Sequence, residues 1–339
     1  MKKIFYLFLI SFGFVANSNC QTYKVAKKIT VAGDEGWDYL SVDEPNQHLF
    51  VSHGNVVNVV DLKTEKTIAT IQNTKGVHGI AVANELNKAF ITNGKDNSVS
   101  IIDLKNFELI EKVEIEGQKP DAVLYDQFSR KVFTFNAKSK DATVLDAITN
   151  KVIKTIPLGG KPEFSVTNTK GLIYVNIEDK NQIKTIDTKS LEVMASWSIT
   201  PGEEPTGLAI DLTSNRLFSV CGNKLMIVVD AANGKVIKSL PIGEGCDGVA
   251  FDSDRKLAFS SNGAGTITVV RENSANDFSV VQTVSTQKGA RTITLNNKTH
   301  QLYLSSAEYG AKPAATTENP KPKSSIIPNS FAILVVESN

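Results

Sequence analysis

Along this chain a Val/Ile-rich run ends in an acid at Asp61, Asp103, Asp146, Asp187 and Asp230, at intervals of 42, 43, 41 and 43 residues. Arg271 continues the series 41 residues on, and Glu337 closes it after a longer gap of 66. A period of this length means a chain built from repeated supersecondary units rather than one irregular core. Helical repeats of similar length need a 3.6-residue apolar period, which is absent. Each unit instead carries four short stretches of alternating β-branched and aromatic residues between Asn, Asp, Gly and Lys turns. In the second unit these are residues 79–82, 89–92, 99–102 and 109–115. Four strands in about 42 residues predict a propeller blade, and seven units predict an all-β, seven-bladed propeller.

The two ends of the series test this reading. Residues 24–31 are patterned like the fourth strands at 151–158 and 235–242, yet they precede the first inner strand. The last unit stops at its third strand, 333–336. The N-terminal strand is therefore expected to complete blade seven and close the ring, which removes exposed sheet edges. A length of 339 residues suggests two domains by itself, but closure predicts one domain over 21–339.

Residues 1–20 are expected to lie outside the ring as a signal peptide. Lys2 and Lys3 precede a twelve-residue apolar run at 4–15, with Ala16, Ser18 and Cys20 after it. That run is shorter than the roughly 20 residues needed to span a bilayer, and no second one follows, so the mature chain is expected to lack a transmembrane segment. The expected location is the periplasm, the cell envelope or the medium, and the expected state is a monomer. Loss of the two lysines leaves 35 basic against 36 acidic residues, a net charge of −1, which disfavours nucleic acid as a partner.

The second strands Phe90-Ile-Thr-Asn93, Phe50-Val-Ser-His53, Phe259-Ser-Ser-Asn262 and Tyr303-Leu-Ser-Ser306 resemble the YVTN repeat. The stretches Pro120-Asp-Ala-Val123 and Pro205-Thr-Gly-Leu208 resemble the way its inner strands open. The chain is thus similar to the YVTN/YncE-like seven-bladed propellers. That resemblance implies an envelope propeller and leaves function open, since related propellers bind macromolecules, bind small ligands or act as enzymes.

Propeller geometry places the openings of all inner strands on one face, here called the top. Their alignment predicts a ring of Asp38, His78, Asp121, Glu163, Thr206, Asp247 and Arg291 around the channel mouth. Crowded carboxylates raise one another's pKa or call for a cation, so a divalent metal or a basic ligand fits there. The ends of the second strands supply an outer set, His53, Asn93, Asn136, Cys221, Asn262 and Ser306, suited to orienting a polar ligand. His53 and His78 with Asp38 or Asp121 make a transition-metal ligand set, or alternatively an acid–base pair with His78, His53 or Asp121 as the catalytic group. His48 and His300 fall in bottom turns and are expected to be solvated.

Three further features stand out. Trp37 at the mouth can stack on a ligand or plug the neighbouring loop. Cys221 and Cys246 belong to adjacent blades, and a disulfide between them is feasible. Residues 307–330 replace a short turn of blade seven with a Pro-rich, Lys-bearing insertion, a lid or docking arm if ordered. No nucleotide-binding Gly loop, CxxCH haem site or Ser nucleophile elbow is present. The expected function is binding of a small polar ligand or an envelope protein at the top face. The alternative is a metal-dependent lactonase- or lyase-type enzyme using the carboxylates and His.

Overall fold

A computed structural model describes residues 22–314, 316, 320, 322 and 324–339. The expected signal peptide, with Cys20, lies outside the described residues. Seven four-stranded antiparallel sheets follow one another, and six of them are ordered from the channel outwards as they run along the chain. Blade two, for example, consists of Val77–Ala83, Lys88–Asn93, Ser98–Asp103 and Leu109–Glu114. Blade seven is assembled from both ends, in the order Thr294–Asn296, Gln301–Ser306, Ala332–Ser338 and then Tyr23–Thr30. Each inner strand packs against the inner strands on either side, and that of blade seven meets those of blades six and one, so the ring is closed as expected. Among the described residues, no helix is long and apolar enough to cross a membrane.

The core lies between blades. One aromatic side chain sits at the same point of each second strand: Phe50, Phe90, Phe133, Tyr174, Phe218, Phe259 and Tyr303, all at most 2% exposed. Each wedges into the apolar layer between neighbouring sheets, as Phe259 does with Tyr23, Leu304 and Val336. Truncating such a ring costs about 3–5 kcal/mol in a well-packed core. The periodic acids have a different task. Asp61 Oδ1 accepts the backbone N–H groups of Lys63 and Thr64 at 2.9 and 2.6 Å, and Asp146 and Asp187 repeat the motif. Each fixes the turn into the outer strand by occupying donors that the sheet leaves unpaired.

At the top end the inner strands share an irregularity. Trp37 pairs with His53 and Leu40 with Val51, so three steps on the inner strand match two on its neighbour. The same extra residue occurs between Val77 and Ile80, Pro120 and Val123, Pro162 and Ser165, Pro205 and Leu208, and Cys246 and Gly248. Such a bulge breaks the alternation of side chains and re-aims one of them. The ring positions 38, 78, 121, 163, 206 and 247 all fall inside these bulges. Glycine behind the ring residue allows neighbouring blades to meet closely: a Cβ on Gly207 would lie 2.9 Å from Gly248 Cα.

Candidate functional site

The strand openings, bulged in blades one, two, three and six and followed by Arg291 ahead of the inner strand of blade seven, present a chain of charged groups across five blades. Arg291 Nε donates to Asp247 Oδ2 at 2.6 Å, and Arg291 Nη2 reaches Asp38 Oδ1 at 3.4 Å. Asp38 Oδ2 lies 2.6 Å from His78 Nδ1, which in turn is 3.5 Å from Asp121 Oδ1. Blade four departs from the series: Glu163 pairs with Lys161 of its own strand opening at 2.7 Å, and Lys161 also bonds Glu178. Blade five offers only Thr206, whose hydroxyl donates to the carbonyl oxygens of Val220 and Cys246. The mouth is therefore strongly charged on one side and nearly neutral on the other.

Confinement decides the protonation of these groups. Burial pushes the Asp121 carboxyl up to about 6; the His78 charge opposes this and Asp38 adds to it. Glu163 rises to about 7 through burial and the neighbouring Asp121, against the pull of Lys161. Asp247 is raised by burial despite Arg291. For His78, burial lowers the pKa, but the Asp38 hydrogen bond and the charges of Asp121 and Asp38 outweigh it, and the imidazole is shifted upward. Below the mouth Tyr39 crosses from blade one to ring contact with Phe164 of blade four, centroids 5.4 Å apart. Burial, reinforced by Asp121, Asp38 and Glu163, holds its phenol well above the usual range, so it stays neutral. Nothing in the strand pattern marked Tyr39, because the crossing depends on the channel's width.

A cavity of about 410 Å³ opens at the charged side, lined by Trp37, Asp38, His78, Lys95, Lys119 and Arg291 over glycines 36, 54, 76 and 94. That volume lies within the range of small-ligand pockets. Trp37 forms one wall and is itself held by Phe331 and Tyr309, with ring centroids 5.4 and 6.1 Å away. Tyr309 belongs to the blade-seven insertion and Phe331 follows it directly. The base of this insertion is ordered by the Tyr309–Ile326 bridge and tied to blade one by Asn329 N–H donating to Asp34 Oδ1 at 2.7 Å. Part of the insertion, including Lys323, lies outside the described residues.

The outer set does not face the mouth. His53 is completely buried, stacked on Phe331 at 4.0 Å, with Nδ1 3.2 Å from Asn58 Oδ1 and Nε2 3.1 Å from the Glu35 carbonyl oxygen. Both ring nitrogens are engaged, so His53 does not join His78, and the compact donor group among the described residues is Asp38, His78 and Asp121 alone, within 4.8 Å of one another. Asn93, Asn136 and Asn262 are equally buried and spend their amides inside their blades, Asn136 on Asp141 and Thr143, Asn262 on Thr266 and Thr268. Second strands lack the opening bulge of the inner ones, so their last side chains turn into the sheet stack. Cys221 and Cys246 are buried free thiols, with Cys246 Sγ 3.1 Å from the Cys221 carbonyl oxygen. Burial pushes both up to about 12, which leaves them protonated and unreactive. His300 is bonded to Asp252 at 2.8 Å, and His48 packs edge-on against Phe107, so neither is a merely solvated turn residue.

No family model and no curated protein matches this chain. Among solved structures, a chain of the Kuenenia stuttgartiensis hydrazine synthase is similar, at 15% identity and a TM-score of 0.71 over 86% of this chain and 96% of that one. Identity this low carries the propeller fold and nothing of the chemistry.

Proposed function

We propose that this chain is an exported, YVTN/YncE-like propeller that binds a small polar ligand at the top of its channel. The observation that carries this reading is the cavity at the charged side of the mouth, where Asp38, His78, Lys95, Lys119 and Arg291 converge beside Trp37. A pocket with an aromatic wall and a few convergent polar groups is the usual form of a small-molecule site. The signal-like leader and the repeat signature support export and family.

A panel of small polar metabolites tests this by thermal unfolding of the mature chain. A ligand of the native state raises Tm by linkage, and about 100 Kd of ligand contributes about 2.7 kcal/mol. The expected result is a rise with one chemical class, abolished by Asp38→Ala. A panel with no stabilising member, or a rise that survives Asp38→Ala, removes the pocket from the account.

One observation favours a second reading, the metal-dependent enzyme. Asp38, His78 and Asp121 offer one nitrogen and two carboxylate oxygens within 4.8 Å, a donor set suited to zinc or manganese rather than calcium. There the three side chains would hold the ion, and it would polarise a carbonyl or acidify a bound water. Titration with Zn²⁺ and Mn²⁺ is expected to raise Tm in the parent and not in His78→Ala. The same Tm with and without each ion discards this reading.

A further inference from the structure

The cavity at the mouth is lined by three permanent cations, Lys95, Lys119 and Arg291, against a single carboxylate, Asp38. Two of the three, Lys95 and Lys119, make no ion pair among the described residues, and blade four shows the contrast. Lys119-Pro120-Asp121 and Lys161-Pro162-Glu163 occupy equivalent strand openings. Lys161 is clamped by Glu163 and by Glu178, which follows the second strand of its blade. In blade three the residue following the second strand is Ala137, and Asp121 turns to His78 instead. Lys119 consequently has no ion pair among the described residues.

Lys95 follows the same pattern. Several other lysines near the top are matched, Lys75 and Lys112 with Asp96, Lys140 with Asp179 and Lys224 with Glu244, whereas Lys138, Lys180 and Lys288 also make no ion pair among the described residues but do not line this cavity. Lys95, in the same kind of turn as Lys140 and Lys224, has no such partner among the described residues. Its stem lies over Gly76, where an added Cβ would come within 2.7 Å of Lys95 Cγ. The third cation, Arg291, is fixed from below by Asp247 and Asp38 and remains 38% exposed at the cavity. Its orientation is set before any ligand arrives, which reduces the ordering cost of binding.

We propose that the pocket takes a small hydroxycarboxylate anion, its carboxylate received by Lys95, Lys119 and Arg291 and its hydroxyls by Asp38. This rests on the ligand-binding reading above and adds the ligand's chemical class. Charge-assisted hydrogen bonds to a carboxylate are roughly twice as strong as neutral ones, and an Arg held in place gives them direction. Asp38 repels a bare polyanion but accepts a hydroxyl. A cavity of about 410 Å³ with Trp37 as a wall has room for a carbon skeleton, beyond what an inorganic oxyanion fills.

Calorimetry and thermal unfolding of the mature chain with D-gluconate, L-lactate and citrate test the proposal, with D-glucose as the neutral match and inorganic phosphate as the bare oxyanion. At least one carboxylate is expected to bind at least tenfold more tightly than glucose and phosphate, and to weaken as salt rises. The Lys95→Ala/Lys119→Ala variant is expected to lose at least tenfold in affinity for it at unchanged Tm without ligand. Glucose binding as tightly as the carboxylates, with Asp38→Ala abolishing it, overturns the anionic class while leaving the pocket reading intact. Tightest binding of phosphate, an unaltered affinity in the double variant, or no binding of any of the three carboxylates also overturns the proposal.

Discussion

The two ends of the inner strands carry the same residue type in opposite circumstances. At the bottom, Asp43, Asp126, Asp211 and Asp252 are buried and bonded largely to their own turns: Asp211 accepts from Thr213 N–H at 2.9 Å and Ser214 N–H at 3.3 Å, and pairs with Lys256 at 2.9 Å. Burial raises its pKa, but these bonds outweigh that and bring it down to about 2. At the top, Asp121 sits in a bulge with few donors and rises to about 6. A carboxylate supplied with donors stabilises the fold, whereas one deprived of them is held at a cost, the condition expected of a group reserved for a ligand.

The largest effect should separate the two ends directly. Asp211→Ala strands Lys256 and two backbone donors and is expected to cost about 3 kcal/mol in chemical denaturation. Asp121→Ala is expected to cost less than about 1 kcal/mol, because the charged form it removes is already disfavoured. Equal costs would break the contrast. A second comparison uses the two top-face histidines. His53→Ala removes a stacked, doubly bonded ring and is expected to cost about 2 kcal/mol, while His78→Ala, on the channel surface, should fall below about 1 kcal/mol. A larger loss for His78 would make it part of the scaffold.

The smallest effect is in pH. The depressed Asp211 contributes stability that is present above its ordinary value of 3.8 and lost as pH falls towards about 2. Asp121 and Glu163, raised to about 6 and about 7, act the other way: between pH 4 and 7 the folded chain holds protons that the unfolded chain has released, so stability falls as pH rises. The upward shift of His78 has the same sign, since its contribution is complete below 6.5 and lost as pH rises through its folded value. Tm is expected to be about 3 °C higher at pH 5 than at pH 8, and the difference should shrink in Asp121→Asn/Glu163→Gln. An undiminished difference would place its origin elsewhere.

The fold was legible because its determinants are local and repeated. Seven aromatics at the same strand position, the acids at the ends of the third strands and the displaced fourth strand at 24–31 are all visible as period and pattern. The mouth was partly legible for the same reason: aligning strand openings finds Asp38, His78, Asp121, Glu163, Asp247 and Arg291. The outer set was not. Asn93, Asn136, Asn262 and His53 align as well as the ring residues do, but side-chain direction at a strand end depends on whether the strand bulges, and bulges are set by pairing with a neighbour.

The sequence by itself determined that this chain has a near 42-residue period, four strands per period, seven units and ends that join. Tertiary structure alone decided which polar residues converge. Alternation along a strand is a property of the strand, but the 2.6 Å approach of Asp38 to His78 joins two blades, as does the 2.6 Å approach of Asp247 to Arg291. Those distances depend on how closely the inner strands pack around the channel. The same holds for Lys95 and Lys119, which make no ion pair among the described residues, since an ion pair is made or missed in space rather than along the chain.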